Sequence, residues 1–184
     1  MIIVLLATVS ASAFDFTSYA DGIDESNIFI NAGVGYNVFS DYATKIPPIN
    51  LSADFQLPGN QPITLGVQGA FSMYDNSYTA DYFSYNYAFT YITLAARAAW
   101  HVDLLANLDL YLGLQLGWEI QSYIYTHDYD ENYGTDYTSD WSGGIFTYGA
   151  FLGARYFFTD VFGAWLEIGY SSFQLGAAGL SLKF

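Results

Sequence analysis

The alternation of residue types between Leu108 and Ile120 constrains this chain more than any other feature. Large apolar residues occupy the even positions of this segment, and small or polar residues occupy the odd ones. A period of two is typical of a β-strand, whose successive side chains point to opposite faces. The odd face contains Asp109, Gln115 and Glu119 among glycines. It is too polar for a packed core and too poor in charge for a soluble exterior, so the pattern predicts a strand between lipid and a polar lumen.

The composition favours a protein that crosses a membrane with strands. Aromatic residues make up 20% of the 184 residues, and charged residues make up 12% against roughly 25% in an ordinary soluble domain. The sequence contains no apolar run of the roughly 18 to 20 residues that a membrane helix requires. Because lipid offers the backbone no hydrogen-bond partners, a closed antiparallel barrel is the remaining solution.

The domain organisation is expected to be simple. Residues 1–13 form a short apolar stretch that ends in small residues and predicts a secretory signal peptide, with a buried first strand as the alternative. We interpret residues 14–26 as a periplasmic lead and residues 27–184 as one barrel domain. The sequence contains no cysteine, so we expect neither disulfides nor a lipid anchor.

Eight segments keep the two-residue alternation between turn signals. They are predicted at 27–36, 49–57, 63–73, 87–100, 108–120, 145–157, 162–170 and 174–184. Their connections are long and polar at 37–48, 75–86 and 126–143, and short at 58–62, 101–107 and 158–161. Outer-membrane barrels combine long external loops with short periplasmic turns in this way. The predicted fold class is all-β, an eight-stranded antiparallel up-and-down transmembrane barrel whose interior is filled by side chains.

A soluble binding barrel is the rival fold, because alternation alone does not tell which face lies inside. Its exterior would then be paved with glycine and glutamine and nearly bare of lysine, which is poor for solubility. The sequence contains 18 acidic residues and only four basic ones, counting lysine and arginine together. This excess of negative charge argues against a nucleic-acid ligand, because phosphate binding needs clustered cations.

The C-terminal segment from Tyr170 to Phe184 resembles the last strand of small bacterial outer-membrane barrels. It closes on alternating apolar residues, Leu180, Leu182 and the terminal aromatic Phe184. In size and pattern the chain is similar to the transmembrane domain of outer membrane protein A and to outer membrane protein X. The resemblance implies a monomer in the cell outer membrane, in contact with lipid and lipopolysaccharide, with Phe184 as a signal for the barrel assembly machinery. The family includes adhesins, narrow pores, tethers and a few lipid-modifying enzymes, so the resemblance does not select one function.

Two of the few cations are predicted to lie in the lumen. Arg97 and Arg155 fall on the polar face, and a guanidinium facing lipid near the bilayer centre would cost about 2 to 4 kcal/mol. Counting residues from the hairpin turns brings Asp109 close to Arg97, and Glu167 close to Arg155. The predicted lumen network comprises Arg97, Arg155, Asp54, Asp109 and Glu167 in the periplasmic half, together with Gln68, Gln115 and Glu119.

We interpret this network as a permanent polar plug, and a gate across a narrow lumen is the alternative. Six glycines lie on or beside the inward face: Gly33, Gly35, Gly66, Gly113, Gly117 and Gly153. They leave space for water or a thin solute unless packed side chains close it. A narrow pore for small solutes is therefore the alternative function.

An aromatic residue recurs at every fourth position of the predicted loop after strand five. The repeat consists of Tyr125, Tyr129, Tyr133, Tyr137 and Trp141. Period four keeps these rings on one side of an extended ribbon, so we expect strands five and six to extend beyond the membrane. Together with Tyr78 and Tyr82, the repeat is a candidate binding surface for a host or cell-surface protein or glycan. The alternative is an interfacial aromatic girdle below a solvated acidic tip.

The same loop contains five acids, Asp128, Asp130, Glu131, Asp136 and Asp140, but no calcium-loop spacing, so we predict neither a metal nor a cofactor. A lipid A-modifying enzyme needs a histidine with a serine and a carboxylate near the external leaflet. His101 falls in a predicted periplasmic turn, and His127 lacks a His-x-Ser pattern. We therefore predict a non-catalytic outer-membrane barrel for adhesion or envelope support.

Overall fold

Eight antiparallel strands close into one barrel in the computed structural model, which describes residues 27–36, 43–58, 61–105, 107–129, 134–171 and 174–184. The strands are β1 (Ile28–Tyr36), β2 (Ala43–Gln56), β3 (Ile63–Ala80), β4 (Phe83–Leu105), β5 (Leu108–Tyr129), β6 (Tyr137–Phe157), β7 (Phe162–Ser171) and β8 (Gln174–Lys183). Each strand pairs with the next, and β8 pairs with β1, so the predicted up-and-down topology is confirmed. The described residues include no helix that is long and apolar enough to cross a membrane. The predicted signal peptide and lead, residues 1–26, lie outside the described residues.

The alternation on β5 shows which face lies outside. Leu112, Leu114 and Leu116 point away from the barrel and are 63%, 66% and 58% exposed. Asp109, Gln115 and Glu119 are buried in the lumen. Exposed leucines around a buried polar interior are the reverse of a soluble domain, and only a surrounding lipid phase makes this arrangement stable.

The four middle strands are longer than the other four. β3, β4, β5 and β6 contain 18, 23, 22 and 21 residues, whereas β1, β2, β7 and β8 contain 9, 14, 10 and 10. Their outer ends form what we call the protruding sheet, which consists of residues 74–80, 83–91, 121–129 and 137–143. The predicted loop 75–86 is therefore wrong, because β3 and β4 stay paired up to Ala80 and Phe83 around a two-residue turn. This segment alternates aromatic with small polar residues, a pattern that suits a strand in water.

The predicted periplasmic turn 101–107 is also wrong. β4 continues to Leu105 and β5 begins at Leu108, with Asn107 in the left-handed region at φ 68°. Asparagine tolerates this conformation, which a tight turn requires. His101 is consequently a strand residue opposite Tyr111 and lies inside the barrel.

Candidate functional site

Arg155 is fully buried and joins two carboxylates in the periplasmic half of the lumen. Its Nη1 donates to Asp109 at 3.1 Å, and its Nη2 donates to Asp54. Its Nε donates to Asn31 Oδ1 at 3.3 Å. The guanidinium carbon lies 4.4 Å from the centre of the Tyr111 ring. Hydrogen bonds, ion pairs and cation–π contact together replace the water that this charge loses on burial.

Arg97 forms a second cross-lumen centre one layer further from the periplasm. Its guanidinium binds both oxygens of Glu167, and its Nε lies 3.1 Å from Asp54 Oδ1. It also donates to Gln68 Oε1 at 3.0 Å. Asp54 therefore bridges the two arginines, and the five predicted ionic residues form one connected network.

The partners within the network differ from those expected from the hairpin count. Arg97 lies opposite Gln115 in the β4–β5 ladder, so Asp109 pairs with Arg155 instead. Glu167 lies opposite Gly153 and reaches across the lumen to Arg97. The difference follows from the longer β4, which shifts the pairing along β5, and from contacts between strands that are distant in the ring.

An amide chain continues the network toward the external side. Gln174 and Asn50 exchange hydrogen bonds of 2.8 and 3.0 Å, and Gln68 donates to Asn50 Oδ1 at 3.1 Å. Gln115 lines a cavity of about 20 Å³ beside Gln68, which is room for about one water molecule. Sequence reasoning missed Asn50 and Gln174, although both polar residues occupy inward positions of their strands.

Glu119 lies above this chain, at the external end of the lumen. It accepts hydrogen bonds from Thr93 Oγ1 at 3.3 Å and Gln121 Nε2 at 2.6 Å. The carboxylate is almost completely buried. It is the predicted lumen residue closest to the protruding sheet.

Aromatic rings occupy the space that the inward glycines were expected to leave. The Phe151 ring covers Gly113, and the Tyr111 ring covers Gly153, so closely that an added Cβ would overlap them. The Tyr111 hydroxyl also donates to Glu167 at 2.9 Å. Gly113 and Gly153 therefore accommodate rings and do not line an open channel.

His101 belongs to a buried relay that resembles the hydroxyl, imidazole and carboxylate of a hydrolase. Its Nε2 lies 2.8 Å from Thr64 Oγ1, and its Nδ1 lies 2.7 Å from Asp109 Oδ1. Thr64 and His101 are 1% and 4% exposed, and the Phe29 ring stacks on the imidazole. A nucleophile needs access to the bond that it attacks. Burial leaves the Thr64 hydroxyl almost no exposed surface.

The protruding sheet reverses the chemistry of its two faces. On β4 the outward positions change from Leu94 and Ile92 to Asn86 and Ser84, whereas the lumen-side positions become aromatic. Rings touch across all four strands, with centroid distances of 5.3 Å for Tyr78–Tyr85, 4.8 Å for Tyr87–Tyr125 and 6.4 Å for Tyr125–Tyr137. The lipid-facing belt therefore ends near Ile92, and the sheet beyond it meets water.

The candidate loop surface lies largely on this sheet. Tyr78, Tyr125, Tyr137 and Trp141 occupy its lumen-side face, and Tyr82 lies in the β3–β4 turn. Tyr137 and Trp141 are 58% and 55% exposed. Tyr133 and the side chain of Tyr129 lie outside the described residues.

His127 makes no dyad with its neighbour Asp128. The imidazole Nδ1 lies 3.1 Å from the Tyr125 hydroxyl, and the ring contacts Phe83 at 5.6 Å between centroids. Asp128 follows it on the strand and points to the opposite face. Within the described residues no three histidines or acids are grouped to hold a metal, and Asp130 and Glu131 lie outside them.

Phe184 closes the barrel next to the start of β1. Its amide donates to Ile28 O at 3.0 Å, and the Ile28 amide donates to Phe184 O at 2.9 Å. The side chain is exposed on the outward face. Its role as an assembly signal stays a prediction.

A closed eight-stranded barrel with an apolar belt and a polar lumen is a transmembrane β-barrel of the outer-membrane class. No protein-family model and no curated protein matches the sequence.

Among solved structures, the chain is similar to Ail, the attachment invasion locus protein of Yersinia pestis, with 14% identity and a TM-score of 0.49 over 88% of this chain and 100% of that one. For the N-terminal barrel of Pseudomonas aeruginosa OprF the identity is 14% and the TM-score is 0.48, over 87% of this chain and 98% of that one. For Neisserial surface protein A the identity is 14% and the TM-score is 0.45, over 86% of this chain and 92% of that one. Because the identities and TM-scores are low, the assignment as a barrel depends on the strand pairing observed in this chain.

Proposed function

We propose that this protein is a non-catalytic outer-membrane barrel that binds surface partners, as an adhesin or envelope support, through the protruding sheet. The observation that carries the proposal is an aromatic face that extends past the lipid belt, with Tyr137 and Trp141 exposed. Tyrosine and tryptophan supply large contact area at a low entropic cost, which is why binding surfaces use them.

A free strand edge adds to this surface. Residues Tyr137 to Tyr148 of β6 pair with β5, but the described part of β7 pairs with β6 only from Gly149 onward. An unpaired edge offers backbone donors and acceptors to another strand. Natural edges are commonly blocked by lysine or proline, and residues 137–148 contain neither.

The pore alternative receives less support from the same structure. Buried ion pairs bridge the lumen, and rings fill the space over Gly113 and Gly153. A cavity of about 20 Å³ beside Gln115 has room for about one water. The plug interpretation is therefore the proposed role of the lumen network.

Binding by cells that display the barrel tests this function. A Tyr137→Ser, Trp141→Ser double variant should lose most attachment to host cells or matrix, because both rings are exposed and contribute contact area. Tyr36→Ser is the matched control, since Tyr36 is an exposed aromatic at the external end of β1, outside the protruding sheet. Attachment that survives the double variant at equal surface expression would contradict the proposal.

A further inference from the structure

We propose that the partner of the protruding sheet is an extended basic polypeptide, which pairs with the free edge of β6 and carries its cationic residues at alternate positions. This inference rests on the proposed function and specifies the chemistry of the partner. The occupant must be a polypeptide, because a strand edge is completed by backbone amides and carbonyls.

The charge of the protruding sheet selects the sign of the partner. The sheet and its β3–β4 turn contain four described aspartates, Asp75, Asp81, Asp128 and Asp140, and Asp136 directly precedes β6. Their described residues include no lysine or arginine, and the neighbouring Lys45 on β2 lies 3.3 Å from Asp75. This excess of negative charge favours a cationic partner and repels a sulfated glycan.

The two faces of β6 set the alternation in the partner. Tyr137, Ser139 and Trp141 point to the lumen-side face, whereas Asp140 points to the other face. A strand added at this edge places every second side chain on the face that carries Asp140, where lysine or arginine is complementary. The intervening side chains lie beside Trp141, which suits apolar residues or an arginine stacked on the indole.

A second copy of this chain is a poorer occupant of the same edge. Two β6 edges in antiparallel contact would bring their aspartates together, and like charges that face each other across strands are destabilising. A homodimer would also leave the negative charge of the sheet unbalanced.

The test uses the whole barrel in nanodiscs of zwitterionic lipid, so that the membrane itself does not attract the probe. The probe is a short synthetic peptide in which lysine alternates with valine. The comparison peptides are its glutamate counterpart, a peptide of equal composition with all lysines at one end, and the probe N-methylated at every amide. The alternating lysine peptide should bind, and its affinity should fall as salt is added.

Asp140→Asn should lower the affinity for the alternating lysine peptide by about two- to fivefold at low salt, which is the range expected for an exposed ion pair. Asp160→Asn is the matched control, because Asp160 lies exposed in the β6–β7 turn at the other end of the barrel. N-methylation should abolish binding, because it removes the amide donors that pair with the edge.

Three outcomes would overturn the inference. They are equal binding of the glutamate peptide, equal binding of the block peptide, and barrels that dimerise and bind no peptide. Host-cell attachment that still depends on Trp141 would then leave the proposed function standing with a different partner. If the lysine peptide does not bind and host-cell attachment does not depend on Trp141, the proposed function is contradicted as well.

Discussion

At the scale of single residues, the lumen is a set of charges and rings that depend on one another. Arg155 has no contact with water, and its charge is balanced by Asp54 and Asp109. Removing one member of such a group costs more than the pair contributes, because the remaining charges stay buried without compensation. The ionic network therefore behaves as a unit.

Arg155→Met should lower the free energy of unfolding by about 3 to 5 kcal/mol, because Asp54 and Asp109 would keep buried charges without their shared partner. Urea unfolding of the barrel in lipid vesicles, followed by tryptophan fluorescence, measures the change. Lys45→Met is the control, since its ion pair with Asp75 is solvent-exposed and should be worth at most about 1 kcal/mol. Equal effects of the two substitutions would show that the buried network has no special weight.

Gly113→Ala should destabilise the barrel by about 1 to 3 kcal/mol, because the new methyl group overlaps the Phe151 ring and the core is overpacked. Gly69→Ala provides the comparison, since the nearest atom to its added Cβ is Thr93 O at 4.0 Å. We expect that variant to stay within about 0.5 kcal/mol of the parent. The same unfolding measurement applies, and a neutral Gly113→Ala would indicate open space above the glycine.

At the scale of the strand, one uninterrupted alternation serves two environments. β4 keeps its parity from Phe83 to Val102 while its outward residues change from leucine and tryptophan to serine and asparagine. The backbone needs no adjustment at this boundary, because pairing with β3 and β5 satisfies it on both sides. Lipid below and water above decide which residues suit each face.

Two arginine substitutions on the same outward face of β4 test this boundary. Leu94→Arg should cost about 2 to 4 kcal/mol in lipid vesicles, because Leu94 is in the apolar belt. Asn86→Arg should cost about 0 to 1 kcal/mol, because that position lies in the protruding sheet. Similar penalties at both positions would place the membrane boundary elsewhere.

At the scale of the whole molecule, the barrel is closed inside and open to contact outside. The lumen is bridged by Arg97 and Arg155, whereas the protruding sheet exposes rings, acids and an edge of β6 that pairs with no strand among the described residues. Ion pairs and packed rings in the lumen hold the four long strands together, and the outer ends of these strands take no part in those contacts. This division favours binding over transport.

The purified barrel should show no unitary conductance in planar bilayers, because buried ion pairs bridge the lumen and rings pack over Gly113 and Gly153. Single-channel recording measures this, with circular dichroism to establish that the inserted protein is folded. Reproducible conductance steps from folded protein would favour the pore and contradict the plug.

From the sequence alone follow the number of strands, which the turn signals separate, and the residues that share a face, because a strand has a period of two. The scarcity of lysine on the small and polar face then assigned this face and its ionic residues to the lumen. The sequence also contained the signal for His101, which continues the inward parity of Arg97. Its predicted turn hid that signal, since polar residues near a strand end are read as a loop. The outer lengths of β3 and β4 were missed for the same reason.

Which charges meet depends on contacts between strands that are distant in the chain. Arg97 and Glu167 are 70 positions apart and lie on strands that are not neighbours in the ring. Their contact depends on the register of every strand pair between β4 and β7 and on the closure of the barrel. No local sequence pattern specifies these registers together. The filling of glycine faces by Phe151 and Tyr111 likewise depends on neighbouring strands, because a ring covers the residue beside it in space.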